Sequence, residues 1–258
     1  MPQTRLISVI HTPAPLLSDL NTALSEVTTP FVAFLTSQSR MLPGHMERIE
    51  NELTLRPDTE ILVFDTVTHD SDGWTTLCSP SAATLIPDHF SGLWLSENNL
   101  AIATDLLLRV GPIDESLGSA AMIEYVGRCL LAASTVRKLS GEPTVIVPGS
   151  TVPASTDLIP ALDACAASMQ RNPSTDARLP LMLDVARMTL AGRMLRRGYK
   201  KEGTRLSDRV LDNSDCASTR IKLGFVRDTE AMFGRGGRSL ALLLFRPGRP
   251  DQGTVTEK

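Results

Sequence analysis

Two unbroken apolar runs of strand length constrain this chain more than any other feature: Phe31–Leu35 (FVAFL) and the ILVF within Glu60–Asp65. A strand with no polar alternation has to be covered on both faces. Helical patterns surround the runs. Ser18 or Asp19 can cap a helix reaching Val27, and Gly44–Leu55 carries Met46, Ile49 and Leu53 at helical spacing. Asp105–Val110 reads as a helix ended by Gly111-Pro112, and Ile123–Leu139 as a further amphipathic helix. Short strands are expected at Arg5–Ile10, Leu100–Ala103 and Thr144–Val147, with residues 74–92 irregular apart from short strands. Strands alternating with helices over residues 1–147 predict an α/β layered domain.

The Pro/Gly/Ser-rich stretch Pro148–Pro153 reads as a hinge within 148–156, and the composition changes after it. Residues 157–171 and 177–198 look helical, and 205–233 holds one more helix. Leu240–Phe245 is strand or helix, and Gly248–Lys258 is a polar tail. The expected division is therefore an α/β domain at 1–147 and a helical, basic region at 157–258.

Composition removes several classes of function. Hydrophobic residues are 42% and charged residues 21%, so the chain is no disordered polymer. No window approaches the ~18 apolar residues of a membrane span. A net charge of −3 gives no pull toward nucleic acid. Cys78, Cys129, Cys165 and Cys216 are far apart and form no CxxC, which implies neither a disulfide framework nor a zinc site. Leu6–Ile10 is too short for the apolar core of a signal peptide, so the cytoplasm is the expected compartment.

Two segments carry a resemblance. One is TTPFVAFLTSQSRMLPGHMERI, Thr28–Ile49; the other is LSENNLAIATDLLLRVGPIDESLGSAAMIEYVGRCLLA, Leu95–Ala132. Together, in this order and spacing, they resemble family 2 glycosyltransferases of the GT-A fold. RVGPIDESL matches that family's pattern most specifically. The resemblance covers about residues 1–140 and implies a mixed, mostly parallel sheet flanked by helices, followed here by a C-terminal helical extension. Ligands of such open sheets lie at the carboxyl ends of the strands.

The resemblance also says what ought to be present. After the FVAFL-type strand the family places Asp residues that hold a divalent cation on the diphosphate of a sugar nucleotide. Hard carboxylate oxygens suit Mg²⁺ or Mn²⁺. Here the turn reads Thr36-Ser37-Gln38-Ser39, with no carboxylate, and Arg40 follows. Ser37, Gln38, Ser39 and Arg40 are thus the donor- or phosphate-side candidates, with Arg40 replacing the metal in a metal-independent transferase. The expectation is no cofactor; Mg²⁺ or Mn²⁺ enters only in an active transferase. The family's general base falls at Ala121-Met122, which cannot take a proton. Glu124 is a displaced base or a first-turn helix residue, and Asp114 is the other carboxylate on the catalytic side. Asn98, Asn99 and Glu115 mark the acceptor side. Only 25 residues, 11–35, follow Ile10 up to and including Leu35, too few for the family's full nucleotide-binding βαβ unit, which leaves Asp19 and Asn21 for a reduced site.

Other chemistry is sparse. His69, Asp70 and Asp72 share a polar turn, and Gly234–Arg238 (GRGGR) is a glycine-rich basic loop that would suit an anion. Leu181, Val185, Met188 and Leu195 interleave with Arg193, Arg196, Arg197, Lys200 and Lys201, a pattern for a helix at 181–209 docking on a partner or on an anionic membrane. Its alternative is an apolar face packed on the protein's own core. The reading is a truncated, degenerate, catalytically deficient glycosyltransferase-like protein. It would act as an interaction or scaffold subunit beside an active glycosyltransferase, or as a homo-oligomer, peripheral to the inner membrane face if the basic helix binds lipid. The alternatives are an active metal-independent transferase and a glycan- or small-molecule-binding module.

Overall fold

A computed structural model of the chain describes residues 7–12, 17–36, 39–69, 75–78, 85–92, 95–139, 145–148, 155–171, 178–214 and 216–245. The chain divides into two compact units, 1–183 and 184–258.

The first unit opens with strand β1 (Ile7–Thr12), helix α1 (Leu17–Glu26) and strand β2 (Phe31–Thr36). Next come β3 (Arg40–Met41), α2 (His45–Leu55), β4 (Ile61–Val63), β5 (Thr66–His69) and β6 (Thr75–Cys78). Then follow α3 (Leu85–Phe90), β7 (Leu100–Ala103), α4 (Thr104–Val110), α5 (Ala121–Ala132), β8 (Val136–Lys138), β9 (Val145–Pro148) and α6 (Ser155–Arg171). The main sheet has the order β1-β2-β7-β4-β8. Strands β1, β2, β4 and β8 point one way, and β7 runs against both of its neighbours. Mixed and mostly parallel, with helices on both faces, this sheet is the predicted class. A smaller sheet has the order β3-β9-β5-β6.

The apolar runs are continuous because both faces of the main sheet are covered. Val32, Phe34, Ile61, Val63, Leu100 and Ile102 pack with Leu20 of α1, Leu106 and Leu107 of α4 and Tyr125, Val126 and Cys129 of α5. Alternate residues Phe31, Ala33, Leu62, Phe64 and Ala101 pack on the other face with Ile49 and Leu53 of α2. This is the two-residue period of a strand with an apolar partner at every position.

Two expectations for the first unit change. The helix expected through Leu139 stops at Ala132, and Val136–Lys138 is a strand. The Thr135 carbonyl accepts from the N–H groups of Glu60 and Ile61, and the Ser134 N–H donates to the Glu60 carboxylate, which draws the chain onto β4. The irregular stretch holds a helix, α3. Helix α6 packs on α5 within the first unit.

Helix α7 (Leu179–Arg196) crosses into the second unit, which continues with α8 (Lys200–Asp212), α9 (Ala217–Phe233) and α10 (Gly237–Leu244). The single helix expected at 205–233 is thus two, and the ambiguous Leu240–Phe245 segment is helical. Gly198, at φ +89°, makes the turn between α7 and α8. Gly192 lets α7 and α9 approach closely: a Cβ there would stand 2.5 Å from the Arg227 carbonyl oxygen and 2.8 Å from Glu230 Cβ. Gly192→Ala is expected to cost ~1–3 kcal/mol by forcing the helices apart. Urea unfolding followed by far-UV circular dichroism reads it; no change in midpoint would show that the crossing has slack.

Candidate functional site

The carboxyl ends of β2, β4 and β8 meet the amino end of β7, since β7 runs the opposite way. Val63 pairs with Leu100, so the turn Ser96–Asn99 lies beside Phe64-Asp65-Thr66. Asn99 fixes this junction: its Nδ2 donates to the Phe64 carbonyl and to Thr66 Oγ1, both at 3.0 Å, while Phe64 N–H donates to the Asn99 carbonyl at 2.9 Å. Asn98 donates from Nδ2 and from its backbone N–H to Ser96 Oγ, at 3.0 and 3.2 Å. Both asparagines are buried and occupied in shaping the turn. Asp65 pairs with Lys138 at 3.0 Å.

Glu97 lies in the same turn and was not singled out from sequence. Burial pushes its carboxyl above the usual range, against the opposing effect of its own backbone N–H and Ser96. The Ser96 hydroxyl donates to its Oε2 at 3.4 Å. Among the described residues no ion pair involves Glu97. A deep, partly exposed carboxylate at this end of the sheet can accept hydrogen bonds from a ligand hydroxyl. Its signal in the sequence is an acid at the entry to an apolar strand, directly before two asparagines.

The donor-side candidates divide. Ser37 and Gln38 lie outside the described residues. Ser39 is buried, and Arg40 is exposed at the start of β3, opposite Ile146. A divalent cation does not fit this donor set. The loop after β2 supplies hydroxyls and an amide but no carboxylate, and among the described residues no three His, Cys, Asp or Glu side chains gather to hold an ion.

Asp114 and Glu115 are turn residues. Asp114 Oδ1 accepts from the Ser116 N–H at 3.0 Å and from its hydroxyl at 2.6 Å, and these donors hold the carboxyl below its ordinary range. Glu115 accepts from Asn21 Nδ2 at 2.9 Å; Asn21 also exchanges two bonds with the Ile113 backbone. Asn21, considered for a nucleotide site, is the peg that holds this turn on α1.

Glu124 is 3% exposed on α5. Arg128 donates from Nε to Oε1 and from Nη2 to Oε2, both at 2.9 Å, and Ser168 of α6 adds a bond to Oε1 at 3.2 Å. The same guanidinium donates to the carbonyls of Val110 and Pro112, each at 2.9 Å. One carboxylate–guanidinium pair thereby joins α5, α6 and the end of α4. No described hydrogen bond links Glu124 to the Asn98–Asn99 turn.

The basic residues of the second unit do not form one surface helix. Val185 and Met188, expected on an apolar docking face, are buried in the protein. Arg193 pairs with the buried Glu230 at 2.8 Å, and Arg196 lies against Gly234. Arg197, Lys200 and Lys201 are exposed. Among the described residues no helix is long and apolar enough to cross a membrane. The glycine-rich loop is also taken: Gly237 N–H donates to Glu230 Oε2 at 3.1 Å, so the protein's own carboxylate fills the expected anion position. Asp70 and Asp72 lie outside the described residues, as does the side chain of His69.

No family model matches the chain, and no curated protein matches it significantly. Solved structures do. S. aureus TarS 1–349 in complex with UDP-GlcNAc is 14% identical, with a TM-score of 0.57 over 88% of this chain and 68% of that one. The same fragment with UDP gives 0.52, at 14% identity, over 86% and 68%. A longer TarS structure gives 0.55 at 13% identity, over 89% of this chain, which spans 41% of that protein. The likeness establishes a GT-A glycosyltransferase fold, and it extends past residue 147 into the C-terminal helices.

Proposed function

We propose that this chain is a GT-A-fold protein that has lost metal-assisted sugar transfer and serves as an interaction subunit in a glycan-assembly or glycosylation system. The observation that carries this reading is the commitment of Glu124. It is the carboxylate nearest the family's base position, and both of its oxygens are spent on Arg128 and Ser168 in the protein's interior. A general base has to reach an acceptor hydroxyl at ~2.6–3.2 Å. The carboxylate-free turn at 36–39 supports the same reading, because nothing in it would neutralise a departing diphosphate through a metal.

Glu97 favours a second reading, in which the chain binds a hydroxyl-rich saccharide without transferring it. One titration addresses both. UDP-, GDP- and dTDP-sugars, and the corresponding free saccharides, are added with and without Mn²⁺ while thermal stability is followed. No Mn²⁺-dependent stabilisation is expected. A metal-dependent shift would overturn the proposal, whereas a metal-independent shift that Glu97→Gln abolishes would favour the saccharide-binding reading.

A further inference from the structure

Two turns of the second unit gather exposed cations and aromatic rings at one end. Arg196 closes α7, and Gly198 turns the chain into α8, which opens with Lys200 and Lys201. Phe233 closes α9, and the glycine-rich loop turns the chain into α10. The two turns meet. The Arg196 guanidinium lies along Gly234, where a Cβ would stand 2.6 Å from its Cζ, and one helical turn earlier Arg193 pairs with Glu230. Tyr199 is 54% exposed and Phe233 64%. Arg196, Arg197, Lys200, Lys201 and Arg235 are exposed beside them, and Arg238 is half-buried. Against these six cations, segments 196–203 and 233–239 hold one carboxylate, Glu202. Glu230 is buried and occupied by Arg193 and the Gly237 N–H. Among the described residues no ion pair engages the side chains of Arg196, Lys200, Lys201 or Arg235.

We infer that this end of the helical unit rests on an anionic lipid bilayer, with Tyr199 and Phe233 entering the headgroup region and the surrounding cations on lipid phosphates. Helix stability does not account for these cations. Lys200, Lys201 and Arg238 stand in the first turns of α8 and α10, where the macrodipole disfavours positive charge, and an anionic surface offsets that cost. The mixture of groups selects a bilayer. An acidic protein would need carboxylates placed for cations from two separate turns, and a recess for each ring. A fluid anionic surface meets both demands, since lipids move to the cations and aromatic rings partition to the headgroup boundary. The chain's net charge of −3 does not oppose the contact, because charges more than ~8 Å away are screened at physiological salt. The contact goes beyond the proposed function and rests on the second unit alone, so the nucleotide-sugar titration can fail without touching it.

Flotation of the full chain with lipid vesicles tests the inference. Wild type is expected to float with phosphatidylcholine vesicles containing ~30% phosphatidylglycerol and to stay behind with phosphatidylcholine alone. Lys200→Gln, Lys201→Gln and Arg235→Gln together are expected to weaken binding roughly a hundredfold. Circular dichroism should not change, because all three side chains face solvent. Wild type in about 0.5 M NaCl should lose binding as well, which tests the charge without altering the chain. Phe233→Trp is expected to add an emission that shifts to the blue on the anionic vesicles and is quenched by brominated lipid, above the background of Trp74 and Trp94. Wild type that does not float with anionic vesicles, or floats equally with neutral ones, overturns the inference. So does a triple variant that binds as well as wild type, or an added tryptophan that brominated lipid leaves unquenched. Binding to polyglutamate or to a single-stranded oligonucleotide as tight as to the anionic vesicles would assign the surface to an acidic polymer and overturn the bilayer.

Discussion

Acidification from pH 6.5 to pH 4 is expected to remove about 3 kcal/mol of stability for each of two buried histidines, His45 and His89. Burial lowers both to about 4, with Arg48 adding to the effect at His45. His89 is held neutral by geometry as well. Leu95 N–H donates to its Nδ1 at 3.1 Å, so the ring proton sits on Nε2 and is donated to the Ile123 carbonyl at 3.0 Å. A second ring proton would meet the Leu95 N–H head on. His45 stands edge-on to Phe64, with ring centres 4.6 Å apart.

The sign follows from proton counting. Between the folded value near 4 and the ordinary 6.5, the unfolded chain binds the extra protons. Stability therefore rises with pH across that window, is complete above it and falls as pH drops, by up to ~1.4 kcal/mol per pH unit for each histidine. Trp74 and Trp94 both belong to residues 1–183, as do the two histidines, so tryptophan fluorescence in urea reports the right unit. His89→Gln should halve the pH slope whatever it does to stability at neutral pH. A wild-type slope near zero in this window, or one that His89→Gln leaves unchanged, would sink the assignment.

The same histidine shows where sequence reading stops. FVAFL and ILVF were legible as strands because each residue packs locally into one of two cores, and that requirement is written in the run itself. Helix α3 was not. LIPDHF carries a proline and only six residues, and its place depends on His89 bonds to residues 6 and 34 positions away. Val136–Lys138 lacks a local signal for a similar reason. Its half-buried Val-Arg-Lys has no strand pattern, and pairing with Ile61–Val63 is what extends it. The site divides along the same line. The missing carboxylates at 36–39 and 121–122 could be read directly, since an absent residue type needs no geometry. The roles of Glu124, Asn21 and Glu97 could not, because each depends on partners or burial supplied by distant parts of the chain.

Arg128→Ala is expected to cost ~3–5 kcal/mol, because it strands the Glu124 carboxylate inside the protein with Ser168 as its remaining partner in the cluster. It also strips donors from the Val110 and Pro112 carbonyls. Arg128→Lys should recover little, since an ammonium lacks the planar fork that bonds both carboxylate oxygens while reaching two carbonyls. Replacing both partners, Glu124→Leu with Arg128→Met, should cost far less than the sum of the single changes, as it removes the uncompensated charge along with its partner. A double-mutant cycle in urea measures the coupling. A cost below ~1 kcal/mol for Arg128→Ala, or strict additivity in the cycle, would show the pair to be dispensable. That result would also reopen Glu124 to chemistry. A carboxylate that folds equally well without its arginine is free to meet a substrate, whereas one that depends on the pair is held as a structural anion. The stability of these variants therefore bears on catalysis before any sugar donor is tried.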